Sequence, residues 1–384
     1  MAASRLDSES AGLRVSELAN RSGLRVLIAG GGTGGHVIPA LAIGREMRDA
    51  HGAEVRFVGT ARGLETKLVP EAGFPLELIR VGQLKNVSLA TQLRTVADLP
   101  LGVLRCVELV RSFRPGVVVG VGGYASGPAM MAAILLRVPT VAYEPNAAPG
   151  LANRLVGKYV GAAAVNFPET ARYFRNAVVT GVPVREAIFA VPDKVLGTQP
   201  RLLITAGSNG AKIFNETMPV IAARLLEHVL GLTIVHQTGE KALSATTEAY
   251  TNTGVDLSRI EVTAFLSNMP EQYSAADLVL ARAGSTVAEL AAAGKPALLV
   301  PLPTAADDHQ RKNAQLVVMG GGAEMLLQAE LTPEILLERL TVLLTNRELL
   351  RTMSAAARAM GKPGALERIG EIVAKTASRA RRKR

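Results

Sequence analysis

Residues 30–36, Gly30-Gly31-Gly32-Thr33-Gly34-Gly35-His36, directly follow the apolar run Leu24-Arg25-Val26-Leu27-Ile28-Ala29 and directly precede a helix-like segment, Val37 to Met47. A strand feeding a glycine turn at a helix N-terminus lets backbone approach a ligand without interference from Cβ and aims N–H groups at negative charge. A second such turn, Ala206-Gly207-Ser208-Asn209-Gly210-Ala211, follows Arg201-Leu202-Leu203-Ile204-Thr205 and precedes a helix opening at Lys212. Two such turns, about half a chain apart, predict two nucleotide-fold halves facing one cleft.

Gly30, Gly32 and Gly35 satisfy G-x-G-x-x-G, so dinucleotide binding has to be weighed. That reading needs an acid at the carboxyl end of the second strand to hold ribose hydroxyls. The second strand, Val55 to Val58, ends in Gly59-Thr60-Ala61-Arg62, and Glu54 lies at its wrong end. NAD is therefore disfavoured, and neither turn closes in the G-K-[ST] of a P-loop.

Apolar β-type runs alternate with helical patterns in both halves. The first half carries strands at Leu24 to Ala29, Val55 to Val58, Val117 to Val121, Thr140 to Tyr143 and Ala162 to Val165. The second carries Leu202 to Thr205, Thr233 to His236, Asp277 to Ala281 and Ala297 to Val300. This is the α/β doubly wound pattern, repeated. A chain of 384 residues with 48% hydrophobic residues has length for about two such domains and apolar content for two buried parallel sheets. The expected boundaries are a polar leader 1–23, a first domain 24–183, a proline-bearing linker 184–200, a second domain 201–374 and a basic tail 375–384.

The single cysteine, Cys106, excludes an internal disulfide, and residues 1–23 are too polar and acidic for a signal peptide, which favours the cytoplasm. The uncharged stretch Gly116 to Leu136 is interrupted by Gly120, Gly122, Gly123, Gly127 and Pro128, so it reads as strand, turn and helix rather than a bilayer span. A net charge of +10 asks for an acidic partner. With no tryptophan, 4% aromatics and no nucleic-acid module, nucleic acid is the weaker choice. The basic residues gather between Leu76 and Lys158 and again at Arg379 to Arg384, where an anionic membrane face is one reading and, for the tail, a solvated end is the other.

Five further clusters carry chemistry. Gly120-Val121-Gly122-Gly123-Tyr124-Ala125-Ser126-Gly127-Pro128 is a third glycine turn after a strand. Tyr143-Glu144-Pro145-Asn146 ends a buried strand with a carboxylate and an amide, either at a substrate edge or in a solvated loop. Gly181-Val182-Pro183-Val184-Arg185 sets an arginine at the hinge, within reach of a diphosphate if it is more than a surface residue. Arg282-Ala283-Gly284-Ser285-Thr286-Val287-Ala288-Glu289 opens a helix with two hydroxyls and an acid, a phosphate and ribose site or a capping box. Asp307-Asp308-His309-Gln310 presents Gln310 from a helix start towards a sugar.

Together these clusters resemble glycosyltransferase family 28 over nearly the whole chain, from about Leu24 to Ala374, and in particular its bacterial peptidoglycan branch. The motifs are GGTGGH followed by V-x-P-A-L-A, then GVGGYASGP, GVPVR, R-A-G-S-T-V-A-E-L-A-A-A-G-K-P and DDHQ-x-x-N-A, in the family's order. The resemblance implies the two-domain GT-B fold and inverting transfer of GlcNAc from UDP-GlcNAc to the C4 hydroxyl of MurNAc in lipid I, giving lipid II. It implies no cofactor and no metal, the diphosphate being met by helix N-termini and basic side chains.

By the same resemblance, Ser208 and Arg185 hold the donor diphosphate with Ser285 and Thr286 assisting, Glu289 takes the ribose, the backbone at Leu266 reads uracil, and Gln310 and Asn146 position GlcNAc. Thr33, Gly34 and Gly35 lie under the reacting sugars or the acceptor diphosphate, and Gly122, Gly123, Tyr124 and Ser126 serve the acceptor. His36 is the candidate general base, since an imidazole titrating near about 6.5 can take a hydroxyl proton; binding acceptor phosphate or capping the helix is its alternative role. Glu144 is the reserve base. Arg80, Lys85, Arg94 and Lys158 belong to a membrane-docking surface for anionic lipid, which places the protein peripherally at the cytoplasmic membrane face.

Three positions depart from the family pattern. Tyr143-Glu144-Pro145-Asn146 stands for H-E-Q-N, Gly284-Ser285-Thr286 is one residue shorter than G-A-[SL]-T, and Asn209 replaces a common glutamine. Two other classes stay open: another GT-B enzyme using a UDP-sugar, such as a diacylglycerol glycosyltransferase or an epimerase, and a non-catalytic lipid-binding subunit. The joint presence of Ser208, Glu289 and Gln310 argues against the last.

Overall fold

The computed structural model describes residues 23–81, 89–194 and 199–381, without the side chains of 89–98 and 380–381. Lys85, the Arg94 side chain, nearly all of the leader and the last three basic residues therefore lie outside the described residues. Two compact units divide the chain: Met1–Pro183 together with Gly364–Arg384, and Val184–Pro363.

The first unit holds a seven-stranded parallel sheet: β1 (Arg25–Gly30), β2 (Glu54–Thr60), β3 (Leu76–Ile79), β4 (Val117–Gly122), β5 (Thr140–Glu144), β6 (Ala162–Val165) and β7 (Ala177–Val179), in the order β3-β2-β1-β4-β5-β6-β7. The second unit repeats the plan with β8 (Arg201–Thr205), β9 (Thr233–Gln237), β10 (Ile260–Thr263), β11 (Leu278–Ala281), β12 (Ala297–Leu299) and β13 (Ala323–Met325), in the order β10-β9-β8-β11-β12-β13. In both sheets the order reverses beside the first strand, between β1 and β4 and between β8 and β11. A crevice opens at such a point because the crossover helices leave in opposite directions.

Parallel strands covered on both faces favour apolar side chains, and β4, built of valine and glycine alone, is buried throughout; β5 is buried throughout too, with polar residues, Thr140 and Glu144, only at its ends. Successive residues of β1 feed opposite layers: Val26 and Ile28 pack with Ile43 and Met47, while Leu27 and Ala29 pack with Cys106, Val110 and Met130. The first of these layers is completed from the end of the chain, where the helix Ala365–Arg381 buries Ile369, Val373 and Ala377 at four-residue spacing. That stripe assigns 365–374 to the first unit rather than to the second. The expected linker is also shorter than 184–200, because Ile188 and Val191 are buried in the second unit's core and Arg358 binds Asp193 and the Val191 carbonyl.

Candidate active site

In the first unit the glycine turns follow β1 and β4, the two strands at the reversal. Pairing of these strands slips by one residue at the top, from Ala29↔Gly120 to Gly30↔Gly122, so the β4 turn leans across the β1 turn. Gly122 and Gly123 have φ of 99° and 80°, which side chains rarely adopt. The backbones also touch: a Cβ on Gly123 would meet the Gly31 carbonyl oxygen at 2.2 Å, and one on Gly122 would meet His36 Cε1 at 2.8 Å. The imidazole of His36 therefore rests on the backbone of Gly122.

Helix Gly34–Asp49 starts after Thr33 without a side-chain cap, so Gly34 and Gly35 stand in a first turn where a helix supplies no acceptors of its own. Gly32 is different. Its N–H donates to Glu65 Oε2 at 2.8 Å, and its carbonyl accepts from Leu64 N–H at 3.1 Å. Any N–H donors this turn offers a ligand thus begin at the helix, not at Gly32. In the second turn Tyr124 is exposed, whereas Ser126 is buried with its hydroxyl packed against Gly120, facing the protein rather than an acceptor.

Glu144 ends β5 and is 2% exposed. Oε1 accepts from the backbone N–H and side-chain amide of Asn146 at 3.1 and 3.0 Å, and Oε2 from Gly150 N–H and Asn153 Nδ2 at 3.1 and 3.0 Å. Burial raises its pKa, opposed by these donors. With four bonds filling both oxygens, the carboxylate organises the 146–150 loop and has no lone pair left over for a substrate proton, so the reserve role as base does not fit.

In the second unit every donor-site candidate lies near the carboxyl ends of the strands or at Arg185. The turn after β8 has φ of 72° at Gly207 and 66° at Gly210, and it exposes Ser208 ahead of helix Lys212–His228. Gln237, at the end of β9, donates to the Gly207 carbonyl at 3.0 Å and accepts from Thr205 Oγ1 at 2.8 Å. After β11, Ser285 flanks helix Thr286–Ala293 with no side-chain capping bond, so the capping-box alternative is not what forms. Arg282 turns away from that helix and donates to the carbonyls of Val300 and Pro301.

Glu289 sits one turn into this helix. Its Oε2 accepts from the fully buried Tyr273 hydroxyl at 2.9 Å. Burial raises the Glu289 pKa, and Tyr273 and the Arg185 guanidinium pull it back down. Burial and the neighbouring carboxylate together push the Tyr273 phenol well up, so it stays a donor. Gln310 accepts from Leu302 N–H through Oε1, and its Nε2 lies 3.7 Å from where a Gly284 Cβ would stand. The Leu266 side chain is buried beside Ile188, Tyr273 and Val287. The structure thus gathers Arg185, Glu289 and, unforeseen, Tyr273, and it brings Gln310 beside Gly284. Tyr273, Gln237 and Glu65 are the supporting residues that sequence reasoning missed.

Among the described residues, no group of three or more His, Cys, Asp or Glu side chains is arranged to hold a metal ion. No helix among them is long and apolar enough to cross a membrane. Helices Leu89–Phe113, Ser126–Leu135 and Leu151–Val156 lie side by side and, with the residues just after the last, expose Leu101, Leu104, Leu135, Leu155 and Tyr159. Arg80, Arg154 and Lys158 are exposed in the same unit.

Two family models match the chain in order: the glycosyltransferase family 28 N-terminal domain over residues 26–165 and the family 28 C-terminal domain over 201–369. The UDP-N-acetylglucosamine–N-acetylmuramyl-(pentapeptide) pyrophosphoryl-undecaprenol N-acetylglucosamine transferase of Solibacter usitatus is 44% identical over 91% of this chain and 96% of its own. The protein of the same name from Syntrophotalea carbinolica is 43% identical over 90% and 97%. The crystal structure of Acinetobacter baumannii MurG superposes with a TM-score of 0.76 at 32% identity, covering 92% of this chain and 99% of that one. Two reversal-point sheets, each with glycine turns at its carboxyl edge, make this a GT-B fold, and the chain belongs to glycosyltransferase family 28.

Proposed function

We propose that the protein transfers GlcNAc from UDP-GlcNAc to the C4 hydroxyl of MurNAc in lipid I, forming lipid II, with inversion at the anomeric carbon. The acceptor oxygen bonds to C1 as the bond from C1 to the diphosphate breaks, UDP leaves, and the hydroxyl proton passes to His36. The second unit binds the donor. Glu289 accepts from the ribose hydroxyls, the Leu266 backbone reads uracil, Gln310 meets the sugar, and Arg185 with Ser208, Ser285 and Thr286 meets the diphosphate, whose charge grows as UDP leaves. The first unit binds the acceptor across Gly34, Gly35 and the Gly122-Gly123-Tyr124 turn.

The observation that carries the donor half is the Tyr273–Glu289 pair beside Arg185: a half-buried carboxylate with one oxygen committed to the protein and a cation within its field. The identities of the curated relatives support the acceptor half. Docking at the cytoplasmic membrane face is supported by the exposed Leu101, Leu104, Leu135, Leu155 and Tyr159 in the same unit as Arg80, Arg154 and Lys158, a composition suited to anionic lipid.

The test is an assay of purified protein with UDP-GlcNAc and a short-chain lipid I analogue, following UDP release and product mass. Disaccharide formation at the MurNAc unit is expected. Epimerised UDP-GlcNAc, or transfer to diacylglycerol instead, would move the protein to another activity on the same fold.

A further inference from the structure

Glu65 is 0% exposed, beneath the first glycine turn. A buried carboxylate is tolerated only where donors meet it. Oε1 accepts from Thr60 N–H at 2.9 Å and Thr60 Oγ1 at 3.0 Å, and Oε2 accepts from Gly32 N–H at 2.8 Å. Three glycines make room for it: a Cβ would lie 2.3 Å from Oε1 at Gly31, 2.5 Å from Cγ at Gly59 and 1.8 Å from Oε2 at Gly63. The side chain is thus enclosed by glycines on the turn, on β2 and on its own approach segment.

We infer that Glu65 is a positioning residue for the transfer reaction, holding the Gly31-Gly32 turn, and through it His36, in reacting register. The path is short and made of backbone. Glu65 fixes Gly32 from below, Gly31 bears on Gly123, and the adjacent Gly122 bears on the imidazole of His36. Rigid contacts without intervening side chains transmit a displacement instead of absorbing it. Glu65 also takes the Gly32 N–H out of competition for ligand oxygens, which leaves the first turn of helix Gly34–Asp49 as the place where an anion is met. This inference rests on the assignment of the turn and His36 to the reaction.

Glu65→Gln separates its two anchors. The amide oxygen stays with Thr60, which offers two donors, and the NH₂ then faces the Gly32 N–H, donor against donor. The variant keeps the β2 anchor and releases the turn. Thr60→Val is the complement, because it loses one bond to Oε1 and leaves Gly32 tethered. The experiment measures kcat and KM for a short-chain lipid I analogue, UDP-GlcNAc affinity by calorimetry and the thermal midpoint, for both variants and for His36→Ala.

Misplacement of a reacting group by a fraction of an ångström to an ångström costs about 10- to 100-fold. Glu65→Gln is expected to lose kcat on that scale with UDP-GlcNAc affinity within about two-fold of wild type, and Thr60→Val to stay within about two-fold on both. Gly63→Ala presses on Oε2 without removing the carboxylate and gives the same reading where Glu65→Gln does not fold. An unchanged kcat in Glu65→Gln beside an impaired His36→Ala overturns the inference alone. Equal losses in Glu65→Gln and Thr60→Val that follow the thermal midpoint also overturn it, leaving Glu65 a stability residue. A wild-type kcat in His36→Ala overturns the assignment of the turn, and this inference with it.

Discussion

Removing the Glu289 carboxylate has two separable consequences. The first is loss of the proposed ribose contact, a hydrogen bond to a charged acceptor worth about 1.5 to 3 kcal/mol. At about 1.4 kcal/mol per decade, Glu289→Ala should raise the UDP-GlcNAc Kd by about 10- to 150-fold. The second is internal. The fully buried Tyr273 hydroxyl loses its acceptor at 2.9 Å, a cost of about 1 to 3 kcal/mol in stability. Tyr273→Phe isolates that second effect, since it removes the donor, keeps the carboxylate for ribose and leaves no buried hydroxyl unpaired. Its expected signature is a smaller stability loss, about 1 kcal/mol, with a weaker effect on donor affinity through a less constrained Glu289. Calorimetry with UDP-GlcNAc and urea unfolding measure both quantities on the three proteins. An unchanged donor Kd in a folded Glu289→Ala refutes the ribose role, and a Tyr273→Phe as damaging to binding as Glu289→Ala would place the phenol, not the carboxylate, against the ligand.

His36→Ala should lower kcat by about 100-fold or more with donor affinity retained, the contribution general-base catalysis typically makes; a loss confined to acceptor KM assigns His36 to phosphate binding instead. Replacing Arg80, Arg154 and Lys158 with glutamine should weaken binding to anionic vesicles in sedimentation while preserving transfer to a soluble acceptor, and equal sedimentation would clear that face of the docking role. His236 predicts the acid limit of stability. It is fully buried against Tyr250, its Nδ1 2.9 Å from the phenolic oxygen, and burial pushes its pKa down to about 3. Above about 6.5 the imidazole is neutral in both states; below it the unfolded chain takes a proton that the folded one refuses, so stability falls with pH, by about 2 kcal/mol at pH 5. His236→Gln should lose less between pH 7 and pH 5 in urea titrations, and an equal loss would sink the assignment.

What sequence reveals here depends on range. The strands legible as apolar runs are interior ones such as β1, β4, β5, β8 and β11, whose neighbours on both sides force every position to be buried. The four that escape, β3, β7, β10 and β13, are the four sheet edges. Each is short and partly solvated, with Leu78 and Val178 exposed, so no continuous run marks them. The chain-end helix is periodic, yet its stripe does not say which sheet it covers. The site divides the same way. Ser208, Glu289 and His36 stand within a few residues of a glycine turn and can be read locally, while their supports act from afar. Tyr273 is 16 residues from Glu289, Gln237 is 30 from Gly207, and Glu65 is 33 from Gly32. A search for an acid at the end of β2 stops at Arg62, three residues short of Glu65.

Glu144, Glu65 and Glu289 are sorted by how many acceptor positions the protein already fills. An ionised carboxylate accepts about four hydrogen bonds. Glu144 receives four, from Asn146, Gly150 and Asn153, and Glu65 receives three, from Thr60 and Gly32. Glu289 receives one, from Tyr273. Burial alone does not separate scaffold from ligand residue, since it raises the pKa of Glu144 and Glu289 alike. Acceptor occupancy does. A residue that shapes a loop has its lone pairs filled by the protein's own donors and can serve a substrate only by releasing the loop. Glu289, held by a single bond on one oxygen, keeps the other for a ligand, as the ribose role proposed for it requires.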